Sequence, residues 1–69
     1  MDASIRVNGT EEELHVATVA ALVVLKTEQT HGRGIAVALN GTVLRRDAWA
    51  TTALKAGDRV EIVRVLQGG

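Results

Sequence analysis

The end of the sequence carries the group that is best suited to chemistry. Its last five residues, Val65-Leu66-Gln67-Gly68-Gly69, finish in two glycines. Residues without side chains make a thin segment that can enter a narrow active site and present an unhindered carboxylate. A carboxylate is a poor electrophile, so it must be activated, for instance as a mixed anhydride with AMP, before sulfur or nitrogen attacks it. We therefore predict that Gly69 is the reactive position and that Leu66, Gln67 and Gly68 deliver it.

Two final glycines also fit a plainer interpretation, in which nothing selects against a loose end of the chain. That interpretation is favoured when the glycine pair is considered alone. The chemical interpretation depends on the elements before the pair, because a strand must anchor residues 66–69, here called the tail, to a folded domain.

The other residues that commonly do chemistry form no constellation. His15 falls in a predicted strand and His31 in a polar loop, and neither has neighbours suited to metal binding or proton transfer. The glycines of Gly32-Arg33-Gly34 lack the later glycine of a dinucleotide loop and lead into a strand. There is no cysteine, which excludes a thiol nucleophile. We expect no catalytic residue, no metal site and no bound cofactor in this chain.

Two Asn-Gly-Thr sequences, which begin at Asn8 and Asn40, match both a glycosylation acceptor and a tight hairpin turn. Glycosylation requires secretion, and the first four residues have neither the basic start nor the apolar run of a signal peptide. We therefore predict that both are hairpin turns.

Size and composition describe one small aliphatic domain. The chain has 69 residues, 46% of them hydrophobic, and Trp49 is its only aromatic residue. We predict that Trp49 lies in the core, with a partner contact as the alternative. Eight basic and eight acidic residues balance, whereas nucleic-acid binding normally needs a basic excess. We expect a cytoplasmic protein that is monomeric when free and that binds neither nucleic acid nor membrane.

The elements before the tail are predicted as strand, strand, helix, strand, strand, strand. The strands are predicted over residues 4–7, 11–16, 35–39, 42–44 and 60–65, and the helix over 18–28 with Thr18 as its N-cap. Residues 45–56 are less regular. Glu61 and Arg64 break the alternation of the last strand, which indicates either a bulge or an exposed end.

This order predicts an α+β domain over residues 1–65, with one mixed sheet and a single helix packed across it. The connection from the first hairpin through the helix to the strand at residue 35 is long enough for a crossover. This order of elements is that of the β-grasp, or ubiquitin-like, fold. A ferredoxin-like fragment and a small barrel fit the pattern as well. Residues 66–69 are predicted to be a separate flexible Gly-Gly tail.

The sequence resembles the ThiS family of thiamine-biosynthesis sulfur carriers over essentially its whole length. Four stretches carry the likeness: Ile5-Arg6-Val7-Asn8-Gly9, Thr18-Val19-x-x-Leu22, Ala36-Val37-Ala38-Leu39-Asn40-Gly41 followed by Val43, Arg46 and Trp49, and Ala56-Gly57-Asp58-x-Val60-x-Ile62-Val63 continuing into Val65-x-x-Gly68-Gly69. The fourth stretch is the most similar to the family. Each stretch is weak singly, but in this order, at this length and ending on Gly-Gly they are fairly specific. Arg45 stands where relatives often have proline, which alters the local loop more than the function.

The resemblance implies a β-grasp fold and a two-stage cycle. A ThiF-like enzyme would adenylate Gly69 with ATP, and a sulfur donor protein would convert the adenylate to a thiocarboxylate. Thiazole synthase would then accept the sulfur, so the chain itself would be a carrier and not an enzyme.

Other assignments stay open at this point. The small subunit of molybdopterin synthase shares the fold and the terminal Gly-Gly, although such carriers tend to be longer and to have proline before the tail. Delivery to another sulfur pathway, ubiquitin-like conjugation, and an interaction domain with incidental glycines are the remaining alternatives.

Overall fold

The fold is seen in a computed structural model, which describes residues 3–29 and 31–65. Along these residues the elements are β1 (Ser4–Val7), β2 (Thr10–Glu13), α1 (Val19–Thr27), β3 (Ile35–Leu39), β4 (Thr42–Leu44), a 3₁₀ helix (Arg46–Thr51) and β5 (Arg59–Arg64). The strands form one sheet in the order β2-β1-β5-β3-β4.

The last strand lies in the middle of this sheet. β5 runs parallel to β1, with Val7 opposite Val60, and antiparallel to β3, with Val37 opposite Ile62. The sheet is therefore mixed, and α1 lies in the connection between its two hairpins. The predicted α+β β-grasp arrangement is confirmed. The alternative of a small barrel is wrong, because β2 and β4 are the two edges of an open sheet.

The helix begins and ends at the predicted places because both ends are capped. The Thr18 side chain accepts a hydrogen bond from the Ala21 N–H at 3.2 Å, which satisfies a donor of the first turn. At the other end Glu28 takes the left-handed conformation, with φ of 60°, and its N–H donates to the Val24 carbonyl. The helix predicted over 18–28 is confirmed as Val19–Thr27 with these two caps.

One face of α1 is buried against the sheet. Val19, Leu22 and Val23, the predicted apolar stripe, are at most 2% exposed. Thr27 continues the stripe, and its hydroxyl donates to the Val23 carbonyl at 2.7 Å, so that this buried hydroxyl is satisfied. Lys26 points away from the core and pairs with Glu12 of β2.

Aliphatic side chains and one tryptophan make the core. Its buried residues are Ile5, Val7, Val19, Leu22, Val23, Val37, Trp49, Leu54, Val60 and Ile62. Trp49 is 5% exposed, and its indole N–H donates to the Leu44 carbonyl at 3.2 Å. The prediction that Trp49 is a core residue is confirmed.

The second strand is shorter than predicted. β2 ends at Glu13, whereas the sequence pattern continued it to Val16. The Leu14 N–H still donates to the Ala3 carbonyl at 2.9 Å, but from Ala17 onward the backbone bonds to another segment. The Ala17 carbonyl accepts from the Leu54 N–H, and the Val19 N–H donates to the Thr52 carbonyl. The apolar side chains of Leu14 and Val16 still pack against the core from this connecting segment.

The last strand begins one residue earlier than predicted, at Arg59, and it is regular. Its pairing with β3 runs without interruption from Leu39↔Val60 to Ile35↔Arg64, so there is no bulge. Of the two predicted alternatives, a bulge and an exposed end, the structure has the exposed end. Arg64 falls on the core side by alternation, but it is exposed because it lies at the end of the sheet.

Trp49→Ala should lower the free energy of unfolding by about 3–5 kcal/mol, because it empties the largest site in an aliphatic core. Urea denaturation measures the change. Val43→Ala is the control, since Val43 is 75% exposed, and it should stay within about 0.5 kcal/mol of wild type. A loss below about 1 kcal/mol for Trp49→Ala would contradict its place in the core.

Candidate functional site

The structure describes the chain as far as Val65, the residue before the predicted tail. After β5 the Val65 N–H donates to the Gly34 carbonyl at 2.7 Å, which continues the pairing of β5 with β3 by one residue. The predicted site residues Leu66, Gln67, Gly68 and Gly69 lie outside the described residues. Their chemical roles, and the boundary of the tail after Val65, stay predictions.

The strand that leads to the tail is held on its β1 side by an asparagine side chain. Asn8 and Gly9 have positive φ angles of 51° and 85°, as in a two-residue hairpin turn. The Asn8 amide N–H donates to the Ile62 carbonyl at 3.0 Å, and the Ile62 N–H donates to the Asn8 side-chain oxygen at 2.8 Å. The side chain acts as one further peptide group of β1, so the parallel pairing continues past the end of that strand.

A second asparagine holds the beginning of the same strand. Asn40 is in the turn between β3 and β4, and its side-chain oxygen accepts from the Arg59 N–H at 2.8 Å. Its amide N–H donates to Asp58, whose other carboxylate oxygen accepts from the Lys55 N–H at 2.8 Å. Asp58 is 6% exposed, and these bonds satisfy its buried carboxylate.

Both Asn-Gly-Thr sequences are therefore hairpin turns, as predicted. The sequence reasoning missed the second role of Asn8 and Asn40, which is to bind β5. The available signal was that the same tripeptide occurs twice, each time directly after a strand.

The loop between α1 and β3 packs closely on Trp49. Gly32 is buried with φ of 73°, and a Cβ at this position would lie 2.7 Å from Cζ3 of Trp49 and 2.8 Å from Cδ of Arg46. Only glycine fits both the contact and the backbone conformation. The Arg46 guanidinium also donates to the His31 carbonyl at 3.4 Å. This packing fixes the loop that carries Gly34, the acceptor for Val65.

The histidines lie on the surface. His31 accepts a hydrogen bond from the Arg33 N–H at 2.8 Å, and His15 is 3.9 Å from the Glu13 carboxylate. Within residues 3–29 and 31–65, no three His, Cys, Asp or Glu side chains are grouped so that they could hold a metal ion. The same residues contain no helix long and apolar enough to cross a membrane.

The sheet face opposite α1 divides into an apolar part and a charged part. The apolar part lies on the side of β4, β3 and β5, where Val43 is 75% exposed and Val63 is 55% exposed. Val65, the last residue before the tail, is 48% exposed. Arg6 and Arg59 lie on the other side, beside an open cleft of about 280 Å³ between the two hairpin turns. That cleft is at the beginning of β5, at the opposite end of the strand from the tail.

A mixed five-stranded sheet with one helix across it, and a central strand followed by Gly-Gly, define a protein of the ubiquitin-like β-grasp class. The model of the ThiS family matches residues 5–69, and the chain belongs to this family. The resemblance stated from the sequence is confirmed.

Solved structures agree with this assignment. A crystal structure of a thiamine biosynthesis protein (ThiS) from Geobacter metallireducens is 28% identical, with a TM-score of 0.71, and the match covers 96% of this chain and 99% of that chain. A solution NMR structure of a thiamine biosynthesis protein from the same organism is 32% identical, also with a TM-score of 0.71. The match covers 100% of this chain and 88% of that chain. No curated protein matches the chain.

Asn8→Gly tests the side-chain bonds to β5 without straining the turn, because glycine accepts the positive φ angle. It should lower the free energy of unfolding by about 1–3 kcal/mol, since Ile62 loses partners for both backbone groups. The Ile62 amide should also exchange its hydrogen faster.

Asn8→Ala is the matched variant, because it loses the same bonds and also strains the turn. It should be roughly 1 kcal/mol less stable than Asn8→Gly. If urea denaturation finds Asn8→Gly as stable as wild type, the Asn8 amide does not hold the strand.

Proposed function

We propose that this protein is a sulfur carrier of thiamine biosynthesis and that its working group is the carboxylate of Gly69. One observation supports this above the others: the ThiS family match extends through the Gly-Gly pair to Gly69. The position of β5 supports the proposal further. This strand is bound by β3 along one edge and by the Asn8 side chain on the other, so the residue before the tail is held in place. The proposal requires that Gly69 carries the terminal carboxylate.

The proposed cycle has an activation and a transfer. A Gly69 carboxylate oxygen attacks the α-phosphate of ATP in a ThiF-like enzyme, so an acyl–phosphate bond forms and pyrophosphate leaves. The persulfide of a sulfur donor protein attacks the acyl carbon, and AMP leaves. A thiol then reduces the resulting acyl disulfide, which frees the thiocarboxylate. Thiazole synthase takes the sulfur from it.

The chain's own part in this cycle is to present the carboxylate. We propose that it binds no cofactor, that ATP is bound by the activating partner, and that none of its side chains is catalytic. Glycine suits the reacting position because a CH₂ next to the acyl carbon leaves the approach of the nucleophile open. The exposed Val63 and Val65 at the tail's root suit contact with a protein surface better than contact with a small charged ligand. We expect the protein to act in the cytoplasm as a monomer when free.

Deletion of Gly69 should abolish conversion to the thiocarboxylate. The deletion moves the carboxylate by one residue, roughly 3.3–3.6 Å, and a misplacement of that size is ruinous for a reaction in an enclosed site. One residue added after Gly69 should be equally damaging, because an amide then replaces the carboxylate. The measurement is intact mass after incubation with a ThiF-like enzyme, ATP and a sulfur donor. The wild type should exchange one oxygen for sulfur.

Two controls accompany the mass measurement. Urea denaturation should give the same stability for wild type and both tail variants, because neither change touches the core. His15→Gln should be converted as well as wild type, since His15 is a surface residue without a chemical role. Conversion of the two tail variants at the wild-type rate would show that the terminal glycines are incidental.

Complementation distinguishes the thiamine pathway from its relatives. In a strain that lacks its own thiamine sulfur carrier, this gene should remove the requirement for thiamine. The variant without Gly69 should not. Rescue of a molybdenum-cofactor defect in place of the thiamine defect would overturn the pathway and keep the sulfur-carrier class.

A further inference from the structure

The hydrogen bond between Val65 and Gly34 is the last described backbone contact before the tail. It joins the Val65 N–H to the Gly34 carbonyl at 2.7 Å. Four residues follow Val65 in the sequence, and an extended chain of four residues spans at most about 14 Å. Where the chain is last bound to the sheet therefore decides how far Gly69 can reach.

The acceptor of this bond is held firmly. Gly34 follows Gly32, which is wedged against Trp49 and Arg46, and the Ile35 N–H donates to the Gly32 carbonyl at 3.3 Å. A Cβ at Gly34 would meet the Val65 carbonyl oxygen at 3.5 Å, so the two backbones lie in contact. The core residue Trp49 is thereby connected, through one short loop, to the point where the tail begins.

We propose that the Val65–Gly34 hydrogen bond positions Gly69 for activation by holding the backbone to the sheet as far as Val65 before the partner binds. This inference rests on the proposed function. Without the bond, the next residue of β5 that bonds to β3 is Val63, which pairs with Ala36. The partner would then have to order additional backbone each time it takes the tail into its site. Val65 acts through the position of Gly69 and does not contact the reacting atoms.

The chain offers a matched pair of proline variants. Val65→Pro removes the N–H that donates to Gly34. Arg64→Pro introduces the same ring one residue earlier, where the alternation of the β5–β3 pairing points the N–H away from β3 and past the end of β1. Both positions are exposed, and both variants keep Gly68 and Gly69.

Steady-state kinetics of the activating enzyme, with the carrier as varied substrate, test the proposal. Val65→Pro releases Arg64 and Val65 from β3, but the ring still fixes φ at position 65, so the cost is about that of ordering one backbone residue. It should therefore raise the KM for the carrier about five- to thirty-fold, with kcat close to wild type. Arg64→Pro should raise KM by less than about three-fold. Urea denaturation checks that both variants are folded under the assay conditions.

Hydrogen exchange gives a readout that does not depend on any enzyme. In the wild type the Val65 amide should exchange more slowly than an unstructured peptide amide. Free-peptide exchange at Val65, or a KM for Val65→Pro equal to that of the folded Arg64→Pro variant, would overturn the inference and leave the proposed function standing. Failure of the wild type itself to be adenylated would overturn the proposed function, and this inference with it.

Discussion

The constraint on which the structure depends is that a central strand must satisfy its backbone hydrogen bonds along both edges. β5 finds enough partners in β3, which pairs with it over five residues, but β1 pairs with it at only Arg6↔Arg59 and Val7↔Val60. The side chain of Asn8 supplies the missing partner for Ile62. With its backbone satisfied, β5 can bury Val60 and Ile62 beneath α1, and these residues complete the core.

The same arrangement separates folding from function in this small domain. The side chains that stabilise the fold lie under the helix, whereas the proposed chemistry needs only a carboxylate at the end of the chain and a partner that activates it. A domain that leaves catalysis to its partners, as proposed for this one, can therefore be built from aliphatic residues and a single tryptophan. The link between the two parts is the short stretch in which β5 passes Gly34.

The sequence predicted the local elements well and the long-range contacts poorly, for physical reasons. Alternation and capping residues define the hairpin turns and the helix at Thr18, because these signals lie within a few residues of one another. The amide of Asn8 binds a residue 54 positions away, and local pattern carries no trace of such a contact. The predicted extension of β2 to Val16 was wrong for a similar reason, because the segment that follows Leu14 bonds to residues 52–54, which are distant in the sequence. For the site, residue type and family likeness indicated Gly69, while the role of Gly34 depends on tertiary packing.

The central position of the last strand has a consequence for synthesis of the protein. Both hairpins precede β5 in the sequence, but they cannot join into one sheet until β5 has been synthesised, and β5 ends only five residues before Gly69. A chain that is interrupted before Arg59 lacks the strand that unites the sheet and cannot bury its apolar face. Ribosomal products that lack the glycines because they stopped much earlier should therefore be unfolded and open to proteolysis. In this way the fold couples the stability of each copy to the presence of β5, the strand that directly precedes residues 65–69.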